Sequence, residues 1–164
     1  MSFRELLETL RQTGALTEID QSVSHHLQAA GILKQLEPDP VFFSQVAGSR
    51  FRVAGNLLCS KESFARYLGI AVADIIPTLT KAIEEHSKPE VVESAPCQEV
   101  IHETPDLDEL PMLFYCEGDG GRYITSGVMI AGHPSYGQNM DFHRCMHAVL
   151  KNGNGGACGQ DPQF

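Results

Sequence analysis

The hydrophobic pattern changes partway along the chain, and that change limits the folds open to it. The first part alternates helical spacing with short apolar runs, whereas the part after Pro96 is rich in alternating, strand-like segments. At the very start, Ser2 and Glu5 form the capping-box pattern of a helix N-terminus. The expected helices lie near 2–13, 24–36, 61–68 and 74–86, and the expected strands lie near 16–20, 41–46, 51–55, 123–131 and 139–147.

This order of elements predicts an α+β chain with two regions. An N-terminal α/β domain is expected over 1–105, followed by the opening strands of a β-rich second domain over 106–150. Residues 151–164, rich in Gly, Asn and Gln, are expected to form a flexible tail. The second domain is therefore expected to be incomplete within these residues.

Composition narrows the classes of function. The 164 residues carry 12 Lys and Arg against 21 Asp and Glu, a formal net charge of −9. Nucleic-acid binders gain affinity by neutralising phosphates, so no nucleic-acid partner is expected. No run reaches the roughly 18 apolar residues of a membrane span, so no membrane partner is expected either. Five cysteines without a C-x-x-C pair are typical of reduced thiols, and the expected location is cytoplasmic.

The most unusual stretch is the glycine-rich run from Glu117 to Thr125. Three glycines in four positions allow the backbone to approach a bulky group, or to adopt positive φ, just before a strand. Asp119 and Arg122 place opposite charges at the same point. The run lacks the G-K-[ST] of a Walker loop and the spacing of a dinucleotide fingerprint. From local chemistry alone, an ordinary loop before a strand is the favoured alternative.

A second polar run covers residues 139–144. On a strand, Asn139 and Asp141 would share one face, and their oxygens suit a hard cation such as Mg²⁺ or Mn²⁺. Arg144 would point to the other face, where a guanidinium could bind phosphate or carboxylate in forked geometry. The alternative, and the commoner use of such a run, is a polar strand face without a ligand.

Taken together, four segments in this order resemble the UbiD family of decarboxylases. The segments are 41–57, 106–111, 119–125, and Asn139 placed five residues before Arg144. The most specific is D-G-G-R-Y-I-T after a Leu-Pro turn, whereas the Asn-to-Arg spacing is weak by itself. The resemblance covers about residues 1–147. It implies that the second domain is a split β-barrel that binds a flavin.

The resemblance also implies an enzyme: a reversible carboxy-lyase, or decarboxylase, that acts on aromatic or α,β-unsaturated carboxylic acids. Its cofactors would be prenylated FMN, a divalent metal ion such as Mn²⁺, and K⁺. The resemblance implies that Asn139 binds the metal ion and that Arg144 is the catalytic residue facing substrate and flavin. It implies further cofactor contacts at Phe142, Thr125 and Ser126. A flavin prenyltransferase would supply the cofactor, and a homo-oligomer or a complementary subunit would complete the assembly.

Family members are longer, and the metal-binding His and Glu and the acid–base glutamates that they carry downstream have no counterparts here. The chain is therefore expected to be an N-terminal portion that does not catalyse alone. Two alternatives stay open: a non-catalytic subunit or interaction module completed by another chain, and a plain flavin- or anion-binding split-barrel module. A partner chain carrying the missing glutamates would favour the first, and binding of FMN without a metal requirement would favour the second.

Overall fold

Helices and strands are mixed along residues 1–85, 90–148 and 157–159, which the computed structural model describes. The α-helices are α1 (Phe3–Gln12), α2 (Gln28–Gln35), α3 (Lys61–Leu68) and α4 (Ile75–Glu84). The strands are β1 (Thr17–Ile19), β2 (Val41–Phe43), β3 (Val53–Gly55), β4 (Arg122–Ile124), β5 (Val128–His133), β6 (Gly137–Phe142), β7 (Cys145–Ala148) and β8 (Ala157–Gly159). The predicted α+β class is confirmed, and within these ranges the strands form small sheets and no closed barrel. None of the helices in these ranges is both long and apolar enough to cross a bilayer.

The chain separates into two compact units. The first comprises Met1–Thr17, Glu37–Pro40 and Asn56–Pro105, and the second comprises Glu18–Leu36, Val41–Gly55 and Asp106–Phe164. The predicted domain division after residue 105 stays a prediction. Of the predicted tail, only 157–159 falls within the described residues, and there β8 pairs antiparallel with β7. The rest of the tail lies outside them.

Local sequence signals define the helices of the first unit. Ser2 Oγ accepts from Glu5 N at 3.3 Å while Ser2 N donates to Glu5 Oε2 at 2.6 Å, so the predicted capping box starts α1. Leu6 and Leu10 form the buried side of this helix. Gly69 ends α3 with a φ of 71°, a left-handed conformation that favours glycine.

The core of the second unit lies beneath β2. The sheet order is β1-β2-β3, and all three residues of β2 are buried. Phe43 is fully buried and belongs to the same hydrophobic cluster as Val23, Ala29, Val46 and Leu113. Because Leu113 belongs to this core, the segment after it, which carries the glycine-rich run, begins beside the β1-β2-β3 sheet.

Helix α2 begins four residues later than the helix predicted near 24–36. The residues before it bond to a distant segment: Phe114 N donates to His25 O at 3.0 Å, and Leu27 N donates to Phe114 O at 3.1 Å. Leu27 has a φ of 63°, which is incompatible with helix continuation. Tertiary pairing therefore overrides the local helical pattern at this point.

The two long strands predicted near 123–131 and 139–147 are each broken, and this corrects the sequence prediction. β4 pairs with β7, whereas β5 pairs with β6 as a separate hairpin. The corner between the two ladders is closed by His143 N, which donates to Gly127 O at 3.0 Å. Gly127 permits this corner, because a Cβ there would lie 3.3 Å from Ile124 Cγ2.

The β5–β6 hairpin is exposed along its whole length. Val128 pairs with Phe142 and Ile130 pairs with Met140, so the four apolar side chains lie on one side, here called the hairpin face. Phe142 is 80% exposed and Ile130 is 61% exposed. Contiguous exposed apolar surface is typical of surfaces that associate with another molecule.

We expect the 164-residue chain to self-associate through the hairpin face. Ile130→Thr combined with Phe142→Thr should raise the dissociation constant of the dimer at least about 10-fold, because each lost side chain contributes about 1.5–3 kcal/mol when buried. Threonine keeps the strand propensity of the hairpin. Sedimentation velocity over a concentration series measures the effect.

The matched control is Ile101→Thr, which removes an isoleucine of similar exposure, 80%, away from any strand. It should leave the dissociation constant unchanged. A monomeric wild-type chain at every concentration, or equal weakening by Ile101→Thr, would contradict the assignment of the hairpin face.

Candidate functional site

The glycine-rich run forms a turn that leads into β4. Asp119 N donates to Cys116 O at 3.0 Å, and Cys116 N donates back to Asp119 Oδ2 at 3.3 Å. The next residues pack against β7: a Cβ on Gly120 would lie 3.2 Å from Met146 Sδ, and one on Gly121 would lie 3.4 Å from Met146 Cγ. Gly120 and Gly121 therefore allow the turn before β4 to lie close to β7.

Arg144 lies in the break between β6 and β7, where it contacts Asp119 and Tyr123. Its Nη2 donates to Asp119 Oδ1 at 2.8 Å, and its Cζ lies 3.6 Å from the centroid of the Tyr123 ring. A guanidinium stacks well on an aromatic face while its edge binds a carboxylate. The Tyr123 ring is buried, so the support under the guanidinium is rigid.

The two partners of the ion pair differ in exposure. The Arg144 side chain is 49% exposed, whereas the Asp119 side chain is 12% exposed. The hydrogen bond from Arg144 is the main reason that the pKa of the Asp119 carboxyl is lowered from its ordinary value. Asp119 is therefore ionised at neutral pH and is not a proton donor there.

A second polar network braces the same sheet. Arg122 contacts Asp108 and also reaches His147 Nδ1 at 3.0 Å. Because a guanidinium only donates, this contact is a hydrogen bond in the tautomer whose Nδ1 is free to accept. The hydrogen bond from Arg122 is also the main cause of the lowered pKa of Asp108. Arg122 and His147 are cross-strand partners, so the network holds β4 against β7.

The structure brings three of the predicted site residues to one corner. Ile124 pairs with Cys145, so Thr125 and Ser126, which follow β4, and Arg144, which precedes β7, meet at the same end of that ladder. Thr125 Oγ1 lies 3.0 Å from Tyr115 Oη. Both Thr125 and Ser126 are exposed, so their hydroxyls are accessible at this corner.

The other two predicted residues lie on the hairpin. Phe142 ends β6 on the hairpin face, and Asn139 pairs with Ala131, so it points to the opposite side. Arg144, expected on the strand face opposite Asn139, lies instead in the break after β6, because β6 ends at Phe142. Asn139 is three residues from Phe142, about 10 Å along the strand.

The described residues fit a flavin better than a metal ion. Among residues 1–85, 90–148 and 157–159, no group of three or more His, Cys, Asp and Glu could hold a metal. Asn139 alone would leave most of a divalent ion's coordination sphere to water, so manganese does not fit these residues by themselves. A guanidinium, two hydroxyls and an exposed ring match the anionic and aromatic parts of a flavin nucleotide.

Sequence reasoning missed the partners of Arg144. Asp119 and Arg144 are 25 residues apart, and no local pattern pairs them. The only signal in the sequence was that the two residues carry opposite charges and both lie in the second region. Tyr123 was visible only as an apolar strand residue.

Comparison with known proteins covers most of the chain. The family model of the UbiD N-terminal domain, 3-octaprenyl-4-hydroxybenzoate carboxy-lyase, matches residues 7–83. The model of the Rift-related domain of the same carboxy-lyase matches residues 90–154. The two domain models therefore match in chain order.

Curated relatives and solved structures agree with these matches. Anhydromevalonate phosphate decarboxylase of Methanosarcina mazei is 35% identical over 146 residues, which is 89% of this chain and 33% of the relative. Phenolic acid decarboxylase of Sedimentibacter hydroxybenzoicus is 31% identical over 148 residues, covering 81% of this chain and 31% of the relative. The UbiD-class enzyme HmfF of Pelotomaculum thermopropionicum, in complex with prFMN, superposes with a TM-score of 0.83 at 30% identity, over 88% of this chain and 35% of HmfF.

The chain spans about a third of the length of these relatives. The part matched by the Rift-related model, residues 90–154, includes the D-G-G-R-Y-I-T segment that forms the turn and β4. The chain belongs to the UbiD family.

Proposed function

We propose that this chain supplies the N-terminal part of a UbiD-type decarboxylase for aromatic or α,β-unsaturated carboxylic acids, with Arg144 orienting the carboxylate that departs. The observation that carries the proposal is the Arg144 guanidinium, stacked on Tyr123 and bonded to Asp119 at an exposed corner. The names of the similar proteins, two of them decarboxylases, support the reaction class.

The chemistry follows from the properties of a fixed guanidinium. Its forked donors bind a carboxylate in a defined orientation, so the bond to the leaving CO₂ can be aligned for cleavage. Because half of the side chain is exposed, a substrate carboxylate can reach it. Positive charge placed before the reaction costs no reorganisation when the charge distribution changes.

Prenylated FMN, when bound, would supply the electron sink for the carbanion. We assign its contacts in this chain to Thr125, Ser126, Phe142 and Arg144. Phe142 would add apolar surface, and the two hydroxyls would donate or accept hydrogen bonds. The divalent ion would be Mn²⁺, and K⁺ would bind as well. Asn139 would bind Mn²⁺ only together with donors beyond the described residues.

The proposal also covers the supply of the cofactor, the assembly of the protein and its location in the cell. A flavin prenyltransferase would supply the cofactor, and the working assembly would be a homo-oligomer or would include a complementary subunit. Cys59, Cys97, Cys116 and Cys145 are thiols, which supports a cytoplasmic location. We also retain the division into 1–105, 106–150 and 151–164 as a proposal.

A plain flavin- or anion-binding module is the second candidate. The observation that favours it is the lack of a metal-ligating group within the described ranges. Under this alternative, FMN would bind without any metal ion. Substitution of Arg144 would then change the affinity for flavin, and release of CO₂ would not depend on Arg144.

A chimera tests the proposal. The corresponding 146-residue segment of the Methanosarcina mazei decarboxylase is replaced by that of this chain. We expect turnover that depends on prenylated FMN and stays within about 10²-fold of the parent, since small misplacements at an active site cost that much. The parent enzyme, loaded from the same cofactor preparation, is the control. A chimera that is folded and loaded with flavin but releases no CO₂ would contradict the proposal.

A further inference from the structure

Both oxygens of the Asp119 carboxylate are used. Oδ2 accepts from the backbone of Cys116, and Oδ1 accepts from Arg144 Nη2. The side chain is mostly buried, and the turn bond from Asp119 N to Cys116 O fixes its backbone as well. Apart from the bond to Arg144, the carboxylate is held by Cys116 N and the backbone of Asp119 by the turn, so Asp119 is a firm anchor for its partner.

Arg144 needs such an anchor because it is half exposed and its side chain has many rotamers. The Tyr123 ring, whose centroid lies 3.6 Å from Arg144 Cζ, supports one face of the guanidinium. The bond to Asp119 holds one of its edges. The ring and the carboxylate together define the direction in which the guanidinium presents its edges.

We propose that Asp119 is a positioning residue, which holds the Arg144 guanidinium over Tyr123 in the orientation that receives an oxyanion. The oxyanion is a carboxylate or a phosphate. This inference rests on the proposed function, which makes Arg144 the anion-binding group, and it adds a residue from a different turn to that site. The lowered pKa of Asp119 agrees with a carboxylate that stays ionised while bonded to Arg144.

A competing role has the opposite consequence. If Asp119 merely occupied the guanidinium, its removal would strengthen binding of an external anion. If it positions the guanidinium, loss of the hydrogen bond weakens binding, because the probe must then immobilise the arginine itself. Asparagine and alanine separate these effects, since both remove the charge but only asparagine keeps an acceptor oxygen.

The experiment follows Arg144 and anion binding by NMR in the 164-residue chain. The Arg144 Nε–Hε resonance is assigned by its loss in Arg144→Lys, and its heteronuclear NOE reports side-chain order. We expect high order in the wild type and in Asp119→Asn, and low order in Asp119→Ala. Glu117→Gln, which removes an exposed charge from the same turn, is the matched control and should leave the order unchanged.

Two probes distinguish the sources of the oxyanion: FMN for a phosphate and benzoate for a substrate-like carboxylate. Asp119→Ala should bind the relevant probe about 3- to 10-fold more weakly than Asp119→Asn, the range expected for ordering one long side chain. Circular dichroism checks each variant. Asp119→Ser, which can still accept from Cys116 N, replaces the alanine variant if that variant unfolds.

Equal order of Arg144 in Asp119→Ala and in the wild type would overturn the positioning role, as would equal or tighter probe binding by Asp119→Ala than by Asp119→Asn. If the proposed function is wrong, the binding measurements give a different result. In that case Arg144→Ala leaves the affinity for both probes unchanged, whereas the NOE of Arg144 still reports whether Asp119 holds it.

Discussion

Arg144→Ala in the chimera is expected to lower kcat by about 10²–10³-fold, the usual loss when one preorganised charge-stabilising group is removed from an active site. The substitution removes the forked donor that we assign to the substrate carboxylate. It leaves the strands around it intact, because the break between β6 and β7 is closed by the backbone bond from His143 N to Gly127 O. CO₂ release under saturating substrate measures the effect, and flavin absorbance confirms loading.

Two further variants show whether the loss of kcat comes from the geometry of the Arg144 guanidinium. Arg144→Lys keeps the charge without the forked geometry, so partial recovery is expected. Arg50→Ala removes an exposed arginine of the same unit, paired with Glu109 at 2.9 Å, and should leave kcat unaltered. Full activity of a flavin-loaded Arg144→Ala chimera would refute the role assigned to Arg144.

The 164-residue chain alone, given prenylated FMN and Mn²⁺, is expected to release no CO₂ above a protein-free control from aromatic or α,β-unsaturated acids. A proton must be returned to the carbon that loses CO₂, and this requires a titratable group within reach. The acid bonded to Arg144 is Asp119, whose lowered pKa keeps it ionised at neutral pH. The described residues also contain no metal-ligating group that could fix the cofactor phosphate.

The chimera serves as the positive control for the cofactor preparation and the assay. A sensitive readout is the release of ¹⁴CO₂ from carboxyl-labelled acids. Turnover by the isolated chain that disappears in Arg144→Ala would show that the chain carries its own acid–base group. Turnover indifferent to Arg144 would remove that residue from the site altogether.

The sequence by itself determined the elements whose signals are local. Ser2 and Glu5 cap α1 as predicted, because a capping box needs only residues three apart. The helices predicted near 61–68 and 74–86 are found as Lys61–Leu68 and Ile75–Glu84, because helical periodicity is likewise a property of neighbouring residues. The ordered motifs also indicated the UbiD family, which the domain matches confirm.

Only the tertiary structure decided how the strand-like segments break and which charges meet. Alternation of apolar and polar residues is the same in one long strand as in two strands that turn a corner, so the breaks after Ile124 and Phe142 have no local signature. The corner depends on the bond from His143 to Gly127, and the anchoring of Arg144 depends on Asp119, 25 residues away. Such contacts form between segments distant in sequence, and their energy comes from the packed sheet that brings them together.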